Sequence, residues 1–262
     1  MEEYVYAIPS YKRAQRQTTL EYLSSIGVPK ELIWIFVQTD EDLREYQRHS
    51  DRANIVLMEA SGIARARNNI LNRLKDKNLL MMDDDVKRIS FLKGGALVGI
   101  ERRIDMAFAF NRCFTQARNL RSKMFGVYPV DNAFFMSDDI STKVSVNTVM
   151  GYASGFPFRF DETFETKEDA ELCGRVMRRG GSVVRFNNIA VSADHRKDKN
   201  GYIDAEHQSE NLRMVKKLCA RYPEIYAPQK GKPWEVRMKF RDEKVPNTPF
   251  KPTQPRREAD GA

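Results

Sequence analysis

The sequence has few cysteines and histidines and no long apolar run. Three cysteines and three histidines occur among 262 residues. Because Cys113, Cys173 and Cys219 are odd in number and widely spaced, they fit neither a disulfide framework nor a zinc motif. No apolar run approaches the roughly 18 residues that a membrane span requires, and the first residues lack the pattern of a secretion signal. We therefore expect a cytoplasmic protein with no membrane partner.

Positive charge is in modest excess and lies mainly in two segments. The formal net charge is +8. Residues 101–123 hold six basic and two acidic residues, and residues 229–262 hold nine basic and five acidic residues, so each segment carries +4. Such segments would attract a polyanion such as nucleic acid. They are equally typical of solvated basic faces.

The first ninety residues alternate short apolar runs with amphipathic patterns. Strands are predicted at 4–8, 32–37, 55–58 and 79–82, and helices at 13–26, 41–49 and 63–74. This alternation predicts βαβ units and an α/β fold with a Rossmann-like central sheet. In such sheets ligands lie beyond the carboxyl ends of the strands. The residues that follow each strand are therefore the candidates for a functional site.

The second half of the chain predicts further strands that make the sheet mixed. β-like stretches occur at 125–130, 132–137 and 143–150, strands at 182–186 and 189–192, and helices at 167–179 and 206–222. Six of the eleven prolines lie after residue 227. We therefore divide the chain into a domain at 1–224 and a basic, Pro-rich tail at 225–262 that is extended or draped over the domain.

Three consecutive aspartates follow the fourth predicted strand. Asp83, Asp84 and Asp85 repel one another, and a bound cation would offset that repulsion. Asp83 and Asp85, two residues apart, can point to the same side of the strand end and offer oxygen ligands to Mg²⁺ or Mn²⁺. A solvated acidic loop is the alternative.

Polar residues also follow the first two predicted strands. Pro9, Ser10, Tyr11 and Arg13 form a turn that could cradle a phosphate and stack a base, or could be a charged surface turn. Asp40 is either the N-cap of the next helix or a ligand for a base or ribose.

Charged residues farther along the chain add three candidates. Arg67 lies on the apolar stripe of its helix, which suggests a phosphate or carboxylate partner, unless the side chain extends past the helix edge. Glu168 and Asp169 could take a proton from a hydroxyl, or Thr166 and Asp169 could form a capping box. His195 is a possible third metal ligand, although a lone histidine is usually structural.

In order and spacing these motifs resemble those of the GT-A fold glycosyltransferases that use nucleotide sugars. The resemblance covers 4–196 and rests on IPSYKR, GIARARN, MMDDDV, ETKEDAEL and ADH. Within that group the chain looks most like the TET-associated glycosyltransferases of bacteriophages, which attach sugars to oxidised 5-methylcytosine in DNA. The resemblance implies a GT-A fold, Mn²⁺ or Mg²⁺, and a UDP-sugar donor.

The resemblance also implies roles for individual residues. Those that would line the nucleotide or its sugar are Pro9, Ser10, Tyr11, Arg13, Asp40, Arg67, Asp83, Asp84, Ser154 and Gly155. Asp85, Asp83 and His195 would meet the metal, and Asp169 or Glu168 would be the general base. The triple aspartate leaves the register of the DxD motif open.

The residues, together with what the resemblance implies about the acceptor, predict a metal-dependent transferase that moves a sugar, with inversion, to the hydroxyl of 5-hydroxymethylcytosine in double-stranded DNA. One alternative is a transferase for a saccharide, lipid or protein acceptor. A second is a nucleic-acid-binding module on an inactive α/β scaffold.

Overall fold

The computed structural model describes residues 4–49, 51–58, 61–193, 205–241 and 243–247. In these ranges the strands are β1 (Tyr4–Ser10), β2 (Ile33–Val37), β3 (Asn54–Leu57), β4 (Asn78–Met82), β5 (Val86–Lys93), β6 (Ala96–Gly99), β7 (Met124–Tyr128), β8 (Ile140–Thr142), β9 (Val149–Tyr152), β10 (Val184–Ala193), β11 (Tyr226–Gln229), β12 (Lys232–Met238) and β13 (Glu243–Val245). The α-helices are α1 (Thr18–Ser25), α2 (Asp40–His49), α3 (Ile63–Arg73), α4 (Arg103–Asn119), α5 (Glu168–Arg178) and α6 (Ala205–Arg221). No helix in the described ranges is long and apolar enough to cross a membrane.

Eleven of the described strands form one mixed sheet. Its order is β13-β8-β10-β7-β9-β4-β1-β2-β3, with β5 paired to β10 and β6 to β5. Strands β4, β1, β2 and β3 are parallel, so their carboxyl ends share one edge, which we call the carboxyl edge. Strand β9 is antiparallel to both β4 and β7. This arrangement confirms the predicted α/β fold with a mixed central sheet.

The core lies on both faces of the sheet. All seven residues of β1 are buried, and its side chains alternate between two apolar clusters. Tyr6 and Ile8 face the cluster that contains residues of α1 and α4, whereas Ala7 faces the cluster that contains residues of α3 and α5. Burial on both faces explains why this strand is apolar throughout.

Strands β7 and β9 approach too closely for a side chain at Gly151. A Cβ atom placed there would lie 2.1 Å from the ring of Phe125 on the neighbouring strand. Glycine at this position therefore lets an aromatic ring fill the space beside the middle of the sheet.

Several predicted elements differ from those observed. The predicted strand at 132–137 is a turn with a short 3-10 helix at Ala133–Phe135, because the side chain of Asn132 accepts the N–H of Phe134 and caps it. The segment 143–148 lies outside the strands, and 182–192 contributes one strand, β10, with an irregular register rather than two strands. The predicted helix at 13–26 is a short 3-10 helix at Ala14–Arg16 followed by α1.

Part of the predicted tail is ordered β structure. β11 and β12 form a hairpin whose residues pack with α6 around Tyr222 and Tyr226. Glu235 on β12 accepts a 2.7 Å hydrogen bond from Lys167, which immediately precedes α5. β13 pairs with β8 in the main sheet. Of the two alternatives expected for the tail, its described part at 226–241 and 243–245 lies against the domain rather than extending from it. The domain boundary at residue 224 stays a prediction.

Candidate active site at the carboxyl edge

A cavity of about 870 Å³ opens at the carboxyl edge of the sheet. Eight of the residues predicted from sequence line it: Pro9, Ser10, Tyr11, Arg13, Arg67, Asp83, Asp84 and Asp85. The lining also includes residues that sequence reasoning missed: Gln38, Thr39, Ser61, Gly62 and Ile63. These residues follow β2 or lie at the start of α3. Their position directly after a predicted strand or at the start of a predicted helix is the sequence signal that could have identified them as cavity residues.

The backbone of the three aspartates is fixed by contacts from two other segments. The hydroxyl of Thr19 on α1 donates to the carbonyl oxygen of Asp83 at 2.6 Å and accepts the N–H of Val86 at 2.9 Å. The N–H of Asp83 donates to the carbonyl oxygen of Thr148, just before β9, at 2.9 Å. The turn that carries the carboxylates is therefore held between α1 and β9.

The three aspartates have different surroundings. Asp84 accepts hydrogen bonds from Ser10 Oγ at 2.9 Å and from Arg13 at 2.6 Å. Burial raises the pKa of Asp84 to about 6, against the lowering effect of Arg13 and Ser10, and the negative charges of Asp85 and Asp83 add to the increase. Asp85 lies 3.8 Å from the same arginine. Asp84 is thus held by Ser10 at the end of β1 and by Arg13 just after it. Asp83 and Asp85, its neighbours in the sequence, also line the cavity.

Arg67 joins the aspartate turn to the start of α5. Its guanidinium, whose side chain is 5% exposed, donates to Asp83 Oδ1 at 2.8 Å and to Glu168 Oε1 at 2.5 Å. Burial alone would lower the pKa of Arg67, but Glu168 and Asp83 more than offset it, so the pKa is raised. Arg67 therefore has two carboxylate partners, Asp83 and Glu168, of the kind that the sequence suggested. Contact of Arg67 with a donor phosphate or sugar stays a prediction.

Helix α5 begins without the capping box between Thr166 and Asp169 that was one prediction from the sequence. Lys167 is the N-cap residue with a φ of 63°, and Asp169 accepts the N–H of its neighbour Ala170 at 2.7 Å. The hydroxyl of Thr166 is buried with no hydrogen-bond partner among the described residues. Asp169 therefore satisfies one backbone amide in the first turn of α5 without Thr166 as a partner.

The two acids at the start of α5 are both harder to ionise than free carboxyls. Burial raises the pKa of Glu168 to about 7, with Arg67 acting to lower it and Asp169 to raise it. Burial also raises the pKa of Asp169, and Arg67 again acts to lower it. Glu168 is held by the ion pair with Arg67, and neither acid is among the residues that line the cavity. The role of Asp169 or Glu168 as general base stays a prediction.

Asp40 lies at the start of α2, exposed and outside the residues that line the cavity. The residue that caps α2 is its neighbour Thr39, whose hydroxyl accepts the N–H of Asp42 at 3.0 Å. The N-cap interpretation of Asp40 is therefore wrong. Its proposed place near the base stays a prediction.

Ser154 and Gly155 lie at the opposite edge of the sheet. Because β9 is antiparallel to β4, its last residue, Tyr152, pairs with Leu79 near the start of β4. The N–H of Ser154 accordingly donates to the side chain of Asn78, the first residue of that strand. The structure therefore does not bring these two residues to the aspartates, which corrects the expectation that they border the sugar.

His195 lies outside the described residues, as does Asp194 beside it. The last described residue of β10, Ala193, pairs with Val86, which directly follows Asp85. Within the described ranges, no group of three histidine, cysteine or acidic side chains is arranged to hold a metal ion. The role of His195 as a third ligand stays a prediction.

Comparison of the sequence with known proteins gives one family. The sequence model of the family described as TET-Associated Glycosyltransferase matches residues 4–202. A search of curated proteins gives no match.

Solved structures with a similar fold include the following three, all of low sequence identity. The mannosyltransferase PcManGT from Pyrobaculum calidifontis, in complex with GDP-Man and Mn²⁺, is 12% identical with a TM-score of 0.56, and the match covers 88% of this chain and 67% of that one. Glucosyl-3-phosphoglycerate synthase from Mycobacterium tuberculosis, in complex with Mn²⁺ and UDP, is 9% identical with a TM-score of 0.52 and coverages of 87% and 84%. GalNAc-T7 with UDP, GalNAc and Mn²⁺ is 11% identical with a TM-score of 0.56 and coverages of 84% and 49%. At these identities the similarity establishes the fold.

Proposed function

The chain belongs to the TET-associated glycosyltransferase family, and from this premise we propose that it transfers a sugar from a UDP-linked donor to the hydroxyl of 5-hydroxymethylcytosine in DNA, with Mn²⁺ or Mg²⁺ as cofactor. The observation that carries the proposal is the continuous row of charged groups from Asp83 through Arg67 to the acids at the start of α5. This row joins a nucleotide-sized cavity to a carboxyl that is suited to accept a proton.

The lining of the cavity suits a nucleoside diphosphate. Tyr11 presents a half-exposed ring that could stack on a base. Ser61, Gly62 and Ile63 line the cavity where α3 begins, and Gly62 is the N-cap, with a φ of 86° and no side chain to occupy the first backbone amides. The N-terminus of an eleven-residue helix favours anions, so the diphosphate would lie there.

The aspartate turn has the chemistry of a site for a hard divalent cation. Asp83, Asp84 and Asp85 all line the cavity, so three carboxyls lie together there. Asp83 and Asp85 would hold the ion through carboxylate oxygens, the ligands that Mg²⁺ and Mn²⁺ prefer. When bound, such an ion neutralises charge that develops on the leaving diphosphate. The residues present therefore fit the implied cofactor.

Asp169 is the general base in this proposal, and Glu168 keeps Arg67 in place. As the acceptor oxygen attacks the anomeric carbon, Asp169 takes the hydroxyl proton, a new C–O bond forms, and the bond from that carbon to the diphosphate breaks. A single base of this kind implies inversion at the anomeric carbon. Proton transfer to a positioned side chain typically contributes about 10²- to 10⁴-fold in rate.

Mass spectrometry of duplex DNA tests donor and acceptor together. Duplexes with 5-hydroxymethylcytosine, and matched unmodified duplexes, are incubated with the protein, Mn²⁺ and a panel of UDP-sugars. We expect one hexose mass to be added to the hydroxymethylated duplex alone. Transfer to a saccharide, lipid or protein acceptor, with none to DNA, would contradict the acceptor assignment and leave the donor chemistry intact.

The base is tested by Asp169→Asn with Glu168→Gln as the matched variant. We expect Asp169→Asn to lower kcat about 10²- to 10⁴-fold while UDP binding is retained. Glu168→Gln keeps a side chain that can accept from Arg67, so its loss of activity should be smaller. If the two losses are reversed, Glu168 is the base.

A further inference from the structure

Two adjacent phenylalanines are exposed in the turn between β7 and β8. The side chains of Phe134 and Phe135 are 86% and 63% exposed, and Val130 in the same turn is also exposed. Single exposed apolar residues are common, but leaving two neighbouring rings in water forgoes the stabilisation that burial of each would give. A contiguous apolar patch of this kind marks a binding surface.

The turn holds these rings in a defined position. Asn132 accepts the N–H of Phe134 with its side chain at 3.0 Å and the N–H of Phe135 with its carbonyl oxygen at 3.1 Å. The next residue, Met136, is buried and donates its N–H to the carbonyl oxygen of Ala133. A capped 3-10 helix anchored by a buried side chain is therefore the base from which the rings project.

The turn rises from the carboxyl edge, next to the aspartates. β9 lies between β4 and β7, and Gly126 of β7 pairs with Met150 of β9, so Tyr128 ends β7 on the side of the sheet where Thr148 contacts Asp83. Two strand spacings of about 4.8 Å separate β7 from β4, or about 10 Å. The cavity lies over β1, β2 and β4, whereas the turn lies on the β7 side of the aspartates, where its Asp131 contacts Arg88, three residues after Asp85.

Charge in the turn is largely compensated. The whole segment between β7 and β8, residues 129–139, contains three acids. Asp131 lies 3.5 Å from Arg88 on β5, and Asp139 lies 3.6 Å from Lys244 on β13. The third acid, Asp138, is exposed. With two of the three acids paired, repulsion between the turn and a phosphate backbone is reduced.

We propose that the turn at residues 132–136 is a wedge that inserts into the stacked bases of the DNA acceptor beside the modified cytosine; this inference rests on the proposed function. In a stacked duplex the hydroxymethyl group projects into the major groove, whereas the acids at the start of α5 are recessed in the protein, with Glu168 only 6% exposed. Turning the base out of the stack would carry its hydroxymethyl group to these acids, and apolar side chains commonly fill the gap that remains. The aromatic faces of Phe134 and Phe135 stack on any base, which suits a device that reads no sequence.

The two rings have different tasks because they are nearly perpendicular. Their centroids are 5.1 Å apart and their planes cross at 87°. Two rings in this arrangement cannot both lie flat against the same base pair. Phe134, the more exposed, is the ring that enters the stack, and Phe135 supports it through an edge-to-face contact.

Sugar transfer to duplex and to single-stranded acceptors distinguishes a loss of base unstacking from a loss of catalysis. Sugar transfer is measured on a hydroxymethylated duplex and on the same strand without its complement, for the wild type and for Phe134→Ala. We expect Phe134→Ala to lower kcat/KM on the duplex about 10- to 100-fold, the size expected when one base stack is lost, and to lower it less than about threefold on the single strand. Val98→Ala is the matched control, since Val98 is 48% exposed on β6 and belongs neither to this turn nor to the basic segment at 101–123.

A second measurement needs no sugar transfer. 2-Aminopurine placed beside the modified cytosine becomes more fluorescent when it is unstacked, and we expect the wild type to raise its emission and Phe134→Ala not to do so. If the wild type transfers no sugar to DNA but unstacks it through Phe134, the proposed function fails and the wedge stands. Equal loss of Phe134→Ala activity on both acceptors, or an unchanged duplex rate, overturns the wedge and leaves the proposed function in place. A wild-type dimer that Phe134→Ala converts to monomer with full activity also overturns it, because the patch would then bind a second copy.

Discussion

Replacement of Glu168 by glutamine should change the way in which stability depends on pH. The side chain of Glu168 is buried, and burial raises its pKa from an ordinary 4.5 to about 7 despite the ion pair with Arg67. Between these two values the folded protein binds more protons than the unfolded chain, so the free energy of unfolding falls as pH rises. The contribution is fully present below pH 4.5 and lost above pH 7. An increase in the pKa of Glu168 from 4.5 to about 7 corresponds to a loss of about 3 kcal/mol in the free energy of unfolding over this pH range.

Glutamine resembles the protonated acid and does not titrate. We therefore expect the free energy of unfolding of Glu168→Gln, taken relative to that of the wild type, to rise by about 3 kcal/mol as the pH increases from 4 to 8. Urea unfolding with EDTA present, followed by circular dichroism at each pH, measures the difference. Asp84, whose pKa burial raises to about 6, titrates in the same direction in both proteins and cancels from the comparison.

The negative charge of Asp169 helps to raise the pKa of Glu168, so Asp169 provides the control. Removing the charge of Glu168 makes Asp169 easier to ionise, so the double variant Glu168→Gln/Asp169→Asn isolates the titration of the pair from the rest of the protein. Parallel stability profiles for the wild type and Glu168→Gln across this range would refute the reasoning, because they would mean that burial of Glu168 does not penalise its charge.

Two further predictions concern the aspartate turn. Thr19→Val removes a hydroxyl that makes two hydrogen bonds across the turn, and should lower the free energy of unfolding by about 1 to 3 kcal/mol and weaken UDP binding, with the neighbouring Thr18→Val, whose contact is 3.4 Å, as the control. Asp85→Asn should abolish the rise in melting temperature that Mn²⁺ together with UDP gives the wild type, since a ligand stabilises only to the extent that it binds the folded state. An undiminished rise in that variant would exclude Asp85 as a metal ligand.

The strands of the first half and the aspartate turn could be predicted because their signals are local. β1, β2 and β4 are apolar runs buried on both faces, and Asp83 to Asp85 adjoin one of them in the sequence. The contacts that position the turn could not be predicted in this way. Thr19 lies 64 residues from Asp83, and its hydroxyl has no distinguishing pattern until α1 is packed against the strand end.

The misplacement of Ser154 and Gly155 has a different cause. Alternation and β propensity indicate that a segment is a strand but not which way it runs in the sheet. β9 is inserted antiparallel between β4 and β7, so the residues after it lie at the amino end of β4. Strand direction depends on pairing with distant segments, which no single stretch of sequence contains.

The exposed turn at Ser154 and Gly155 offers a place to attach the protein to a surface. It faces away from the carboxyl edge, and its backbone is tied to Asn78 and Lys75. Cys113 and Cys173 are buried, so with Cys219 replaced by serine a thiol introduced by Ser154→Cys would be the preferred site for maleimide coupling. A molecule tethered there would leave the carboxyl edge open, so binding of the proposed DNA acceptor to single molecules could be followed in a flow cell.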